Sequence, residues 1–346
     1  VHYLVFGTGA VGGLFGVRLA LAGQRVTFLA RPKLARVMQV EGITIIGDGP
    51  AGRLQTPTVV TSLEQAFDPH PPDVILLAVK AYDCQEAAEL IRETTPQTPA
   101  VICLLNGIGN EATLASAIGA ERVIPATLTT AVQMIEPGIL RVERQRGCGL
   151  ADGHPLLPKL LSEMSMAGLN PHRYPNPDRM KWSKLLTNIV TNATSAIMGW
   201  LPAQILTHPE LFRVEIEALR EAVRVMRRVG FSPQNLPDVP VGLLGRAIFL
   251  PDSLIQPFLR RVVSTGRGDK LPSFNYDIAR GRSEVGWLNG AVVRQGAHAG
   301  VPTPANYILT EIMLGLVEGR VAHDQFRDRP EQLIQRAVEV GVPGLR

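Results

Sequence analysis

Short, continuous apolar runs punctuate the first half of the chain. Residues 1–6, 25–29, 74–79 and 101–105 each predict a strand. The unbroken Val74-Ile75-Leu76-Leu77-Ala78-Val79, with no polar alternation, is the pattern of a strand covered on both faces of a parallel sheet. Segments of helical spacing lie between these runs, over 11–22 and 83–93. From Arg122 to Leu150 the texture is β-rich with a turn at Glu136-Pro137-Gly138, which predicts a strand and a hairpin completing the sheet. A closing helix is expected over 155–167. Tyr174-Pro175-Asn176-Pro177 then reads as a linker, because two prolines so close cannot sit inside a helix or a central strand. Beyond it the spacing predicts helices over 179–201, 209–229, 241–250, 253–265, 275–300 and 304–320, with no strand candidate. The pattern therefore predicts an α/β domain over 1–175 and an all-α domain over 176–346. Arg213, Arg220, Arg224, Arg227 and Arg228, spread along the second of these helices, read as a solvated face.

Length and composition agree with this division. A chain of 346 residues exceeds one ordinary core. At 45% hydrophobic and 19% charged it has the balance of a soluble globular protein. No run is long and charge-free enough to predict a membrane span. The opening residues lack a basic segment and lead straight into a glycine turn, so a strand is expected there and not a signal peptide. Cys84, Cys103 and Cys148 form no C-x-x-C pair, which predicts a reduced, cytoplasmic protein without a disulfide framework or a zinc site. The seven histidines show no H-x-x-x-H spacing, so no metal site is expected. Charge is uneven: residues 1–170 carry a balance of −2 and residues 171–346 of +6. A basic second half suits an anionic small molecule, an acidic partner or nucleic acid. Without aromatic interleaving or a helix-turn-helix pattern, nucleic acid is not expected.

The first strand ends in Gly7-Thr8-Gly9-Ala10-Val11-Gly12, a G-x-G-x-x-G between a strand and a helix. Gly7 permits the turn, Gly9 lets backbone approach a pyrophosphate, and Gly12 lets helix and strand pack closely. The helix N-terminus presents free N–H groups and a positive dipole end to the phosphates. The second strand runs into Ala30-Arg31-Pro32-Lys33, where an NAD-preferring site carries Asp or Glu. An arginine there offers a forked, charge-assisted partner to a 2′-phosphate, which predicts NADPH with Arg31 as the main determinant. Lys80 and Asn106 follow two further strands at equivalent ends, a placement that favours the nicotinamide side of the cofactor.

In the second half, Lys184, Asn188 and Asn192 fall at i, i+4 and i+8 of an otherwise apolar stretch, 182–201. On one helix they form a single drifting stripe. Buried polar groups left unpaired cost about 1–3 kcal/mol each. Three in line either satisfy one another as core hydrogen bonders or serve a site. Ser273 follows Leu271-Pro272 at the head of an expected helix, where a hydroxyl caps the helix or binds an anion. Glu284 lies in Arg282-Ser283-Glu284-Val285-Gly286-Trp287, followed by Leu288-Asn289-Gly290.

With these residues in hand, the chain resembles the ketopantoate reductases (2-dehydropantoate 2-reductases), in the right order over nearly its whole length. The resemblance implies an N-terminal Rossmann domain joined to an all-α domain like that of 6-phosphogluconate dehydrogenase, with the active site in the cleft between them. It implies NADPH-dependent reduction of 2-dehydropantoate to (R)-pantoate, on the route to pantothenate and coenzyme A. By the same likeness Lys184 is the catalytic lysine, stabilising the developing oxyanion and donating the proton. Glu284 is the carboxylate that holds substrate and lysine, and Asn188, Asn192 and, allowing a gap, Ser273 bind substrate. Asn106 contacts cofactor and substrate, Lys80 follows the fourth strand, and Arg31 meets the 2′-phosphate. Two departures touch the substrate side. The segment before Glu284 is one residue short, with Gly286 where an acid is common, and the helical domain is long around 240–270. They keep a rival open, an NADPH-dependent reductase of another oxo acid or an imine, and a non-catalytic NADPH-binding protein is the alternative of a different class. The partners expected are a small anionic 2-oxo acid and, compatible with the helical domain, a second copy of the chain.

Overall fold

The computed structural model describes residues 1–95, 97–267 and 274–346, and over 262–267 the backbone alone. The chain divides into two compact units: Val1–Lys181 with Leu236–Val239, and Trp182–Asn235 with Pro240–Arg346.

The first unit runs β1 (His2–Phe6), α1 (Ala10–Leu21), β2 (Arg25–Leu29), α2 (Pro32–Glu41), β3 (Ile43–Gly47), β4 (Gly52–Leu54), β5 (Thr58–Val60), α3 (Leu63–Phe67), β6 (Val74–Leu77) and α4 (Cys84–Thr94). It continues through β7 (Ala100–Cys103), α5 (Asn110–Ile118), β8 (Val123–Leu128), β9 (Ala131–Glu136), β10 (Ile139–Arg144), β11 (Cys148–Ala151), α6 (Leu157–Met166) and β12 (Pro171–Tyr174). The main sheet has the order β12-β11-β8-β7-β6-β1-β2-β5. From β8 to β5 its strands are parallel, and β11 joins β8 antiparallel. The absence of alternation now has its cause. Tyr3, Val5, Val74, Leu76 and Ile102 bury one face against Phe15, Val17 and Phe28. Leu4, Ile75, Leu77, Val101 and Cys103 bury the other under Ala88, Ile91 and Leu114 of the following helices. Each large side chain so buried contributes roughly 1.5–3 kcal/mol.

Two expectations are corrected here. The hairpin β9–β10 does not complete the main sheet; it joins β3 and β4 in a second, four-stranded sheet of order β4-β3-β10-β9. On β10 the buried Leu140 and Val142 alternate with the exposed Arg141 and Glu143, so one face only is covered, and that face lies on α1. Tyr174–Pro177 is not a free linker either. Tyr174 ends β12 and is buried, and Pro177 opens the next helix, α7 (Pro177–Ile189), behind Asn176, whose Oδ1 accepts the Arg179 N–H at 2.8 Å. The two prolines flank an asparagine N-cap, and the second sits where a missing N–H costs nothing.

Beyond α7 the second unit is helical throughout its described residues: α8 (Asn192–Met198), α9 (Pro202–Thr207), α10 (Pro209–Arg228), α11 (Val241–Ala247), α12 (Asp252–Arg267), α13 (Phe274–Arg280), α14 (Asn289–Ala299), α15 (Pro304–Val317) and α16 (Pro330–Glu339). The expected helix over 179–201 is broken at Thr191, a non-glycine residue at φ +55°. The one expected over 275–300 is interrupted by a short 3₁₀ turn, Val285–Trp287. The central α10 buries Leu211, Phe212, Leu219, Val223 and Met226. Its arginines are not all solvated, as the charge pattern suggested. Arg220 is buried, pairs with Glu217 at 2.7 Å and Asp252 at 3.0 Å, and donates to the Ile248 carbonyl at 2.7 Å. Arg213 reaches Asp252 at 2.6 Å. Glu221, also buried, accepts the Ala305 and Asn306 N–H groups at 2.8 and 2.9 Å and so caps α15. Burial pushes its carboxyl up to about 7 against the pull of those donors. No helix of the described residues is long and apolar enough to cross a membrane.

Candidate active site

In the first unit the chemistry gathers at the carboxyl ends of adjacent strands. Phe6 of β1 stands in register with Leu77 of β6, and Leu77 with Cys103 of β7. Gly7 follows the first of these, Lys80 lies three residues past the second and Asn106 three past the third. The strand order reverses between β1 and β6, with β2 to one side and β7 to the other, and ligands of open α/β sheets bind at such a point.

The glycines have the backbone geometry their spacing predicts. Gly7 has φ +100°, and a Cβ there would lie 2.7 Å from the Ala78 backbone. A Cβ on Gly12 would lie 2.3 Å from the Gly7 carbonyl oxygen. Gly9, the exposed N-cap of α1, has nothing within 4 Å of its Cβ position. No side chain caps α1 and no acidic residue stands in its first turn. Open space over an uncapped, positive helix end fits a pyrophosphate. Ala10 and Val11 supply the N–H groups of that first turn. Thr8 turns inward and donates its hydroxyl to the Leu29 carbonyl at 2.8 Å, tying the glycine turn to the end of β2. Two residues on, Arg31 is exposed as the N-cap of α2.

Lys80 and Asn106 are half-buried. Around Asn106 the structure shows a network that the sequence does not announce. Lys181, buried on α7, donates to the Leu105 carbonyl at 2.6 Å and pairs with Glu111 at 2.8 Å. Burial opposes its charge, but Glu111 beside it holds the ammonium above its ordinary pKa.

In the second unit Lys184 and Asn188 lie four residues apart on one face of α7, each half-buried. Asn192 does not extend their stripe. It opens α8 after the break at Thr191, is buried, and accepts the Phe274 N–H at 3.2 Å, so it holds the start of α13. The break is fixed from α10: Glu215, buried, accepts the Thr191 N–H at 2.7 Å and the Thr194 hydroxyl. Glu284 is not on a helix but in the turn before Val285–Trp287, and it is buried. Ser283 Oγ beside it accepts the Val285 N–H at 3.2 Å. Ser273 lies outside the described residues. Lys181 and Glu111 had no signal in the hydrophobic pattern. Glu215 had one, an acid four residues from both Leu211 and Leu219 on the apolar face of α10. Among the described residues no group of three or more His, Cys, Asp or Glu is placed to hold a metal ion.

The chain matches the family described as Ketopantoate reductase PanE/ApbA over residues 3–152, and the C-terminal part of the same family over residues 176–317. The chain belongs to the ketopantoate reductase family. A 2-dehydropantoate 2-reductase of Halobacterium salinarum is 27% identical, over 90% of this chain and 98% of that one. One from Aquifex aeolicus is 25% identical, over 90% and 96%. Among solved structures, a PanE/ApbA family ketopantoate reductase from Ralstonia eutropha superposes with a TM-score of 0.77 at 25% identity, covering 92% of this chain and 99% of that one. A D-mandelate dehydrogenase solved with NADH and anilino(oxo)acetate shares the fold, with a TM-score of 0.73 at 22% identity over 92% and 99%. The ketopantoate reductase family consists of nicotinamide-dependent oxidoreductases, and the glycine turn of this chain fits that cofactor class.

Proposed function

We propose that this protein reduces 2-dehydropantoate to (R)-pantoate with NADPH, supplying pantothenate and coenzyme A synthesis in the cytoplasm. The pairing of Lys184 with Asn188 on one face of α7, in a chain that carries the dinucleotide turn, supports this function. Bound NADPH supplies a hydride to the carbonyl carbon of the oxo acid. Lys184 stabilises the charge that develops on the carbonyl oxygen and gives it a proton. Asn188, Asn192 and Ser273 orient the substrate's carboxylate and hydroxyl groups, and Glu284 accepts from a substrate hydroxyl and orients Lys184. The glycine turn, residues Gly7 to Gly12, holds the pyrophosphate, Arg31 the 2′-phosphate, and Lys80 and Asn106 the nicotinamide end. Such fixed positioning supplies several kcal/mol of barrier reduction beyond the proton transfer.

A second function is supported at one place. Gly286, two residues past Glu284, has open space at its Cβ position where the family commonly has an acid. This departure motivates a 2-oxo acid other than 2-dehydropantoate as substrate, and a D-mandelate dehydrogenase shares the fold. NADPH oxidation measured with 2-dehydropantoate, 2-oxoisovalerate and phenylglyoxylate separates the two. The proposed function requires the highest kcat/KM with 2-dehydropantoate; a higher value with either competitor transfers the assignment.

Cofactor choice has its own test. Arg31→Ala removes a forked cation from an exposed helix cap, so the fold should be undisturbed. The Kd for NADPH should rise roughly tenfold or more while that for NADH stays within about twofold. Equal losses for both cofactors would remove the 2′-phosphate contact from the proposal.

A further inference from the structure

The loop that carries Asn106 is gripped at its backbone by buried polar side chains of the first unit. Lys181 Nζ donates to the Leu105 carbonyl at 2.6 Å and to the Ala126 carbonyl at 3.2 Å, and meets Glu111 at 2.8 Å. Asn110 donates from Nδ2 to the Asn106 carbonyl at 2.9 Å. The two carbonyls that flank Asn106 are thus engaged by Lys181, which pairs with Glu111 of α5, and by Asn110, the first residue of α5. Gly107 and Gly109, at φ +89° and +105°, let the loop double back to bring Asn110 to Asn106.

An ammonium in this place needs a reason. Lys181 is 5% exposed, and taking a charge out of water is among the costliest burials a chain makes. A well-packed apolar pair would serve stability as well or better. What an apolar residue cannot do is donate. Pro125, the β8 residue in register with Cys103, brings no N–H to the ladder, and just past it Lys181 donates to Ala126 of β8 and to Leu105, two residues beyond the end of β7. The thiols nearby do not compete with the carboxylate for the ammonium. Burial pushes Cys84 up to about 11 and Cys103 well above its ordinary value, so both stay neutral.

We infer that Lys181 is a positioning residue for Asn106, fixing with Glu111 and Asn110 the strand end from which Asn106 meets the nicotinamide end of the cofactor. This rests on the NADPH site proposed above, and the test separates the two. Calorimetric titration of the full chain with NADPH and with 2′-phospho-ADP-ribose, which lacks the nicotinamide, reads the two ends of the site independently. Asn106→Ala should weaken NADPH about tenfold and leave 2′-phospho-ADP-ribose within about twofold. Lys181→Met should do the same. The double variant Lys181→Met/Glu111→Gln leaves no orphaned charge and keeps the fold accessible to the measurement, and it should show the same selective loss. If Asn106→Ala affects both ligands alike, the nicotinamide contact of Asn106 falls and this inference with it. If Asn106→Ala is selective and the double variant binds both ligands normally, or loses both equally, Lys181 is a structural residue only and the positioning role is overturned.

Discussion

Replacing Lys184 with alanine is expected to lower kcat for the oxo acid by about 100-fold or more, with the protein still folded and still binding NADPH. The magnitude follows from what the amine is asked to do. A general acid contributes about 10²–10⁴-fold, and a single donor aimed at a developing oxyanion about 10²–10³-fold. Both effects act in the transition state, so kcat should fall together with kcat/KM, and KM should change little. Folding should tolerate the change because Lys184 is half-buried on α7 while Leu185, Leu186 and Ile189 carry the packing. Alanine, the strongest helix former, fits the same backbone. Asn188, one turn along, is proposed only to orient the substrate, so Asn188→Ala should act mainly through KM. Steady-state kinetics with circular dichroism as the folding control decide the matter. Near-normal turnover in a folded Lys184→Ala variant would end the assignment of Lys184 as proton donor.

How far such a site can be read before its structure is known depends on how local its determinants are. The glycine turn is a short-range device. Its spacing dictates the positive φ of Gly7 and the close approach at Gly12, and both are as expected. The central strands β1, β2, β6 and β7 were legible for a related reason, since burial on both faces erases alternation within a few residues, while the short edge strands β5 and β12 carry no such run. The pattern assigns the hairpin β9–β10 to the main sheet, but its partner β3 lies about a hundred residues earlier, and no local pattern encodes that pairing. The Asn176-Pro177 pair carried a helix-start signal that was outweighed by a preceding proline. Most instructive is the stretch around Thr191. From Trp182 to Met198 it contains no glycine or proline, its apolar periodicity runs straight through, and the helix nevertheless breaks. The residue that fixes the break, Glu215, is on another helix, so a pattern confined to 182–201 predicts one stripe where there are two elements.

That break is also the place where a single substitution away from the reacting groups should do the most damage. Thr191 holds a left-handed conformation that costs a non-glycine, β-branched residue about 1–3 kcal/mol, and such strain persists only where the surroundings enforce it. Glu215 enforces it by accepting the Thr191 N–H at 2.7 Å and the Thr194 hydroxyl, with Asn192 between them in the chain. Glu215→Ala removes the acceptor from two buried donors. Each orphaned donor costs about 1–3 kcal/mol, so a gross loss of about 2–6 kcal/mol is expected, with relief of the Thr191 strain returning part of it. Asn192 then loses its fixed bearing and with it the hold on the Phe274 N–H, so α13 should loosen as well. The variant should therefore show a lower Tm together with a raised KM for the oxo acid, while its Kd for NADPH, whose proposed contacts lie in the first unit, stays unchanged. Glu215→Gln keeps one carbonyl oxygen in place and should fall between the alanine variant and the parent in both measurements. The observation that counts most against this account would be a Glu215→Ala protein with lowered Tm but parental KM, for then Glu215 supports the core and Asn192 does not depend on it.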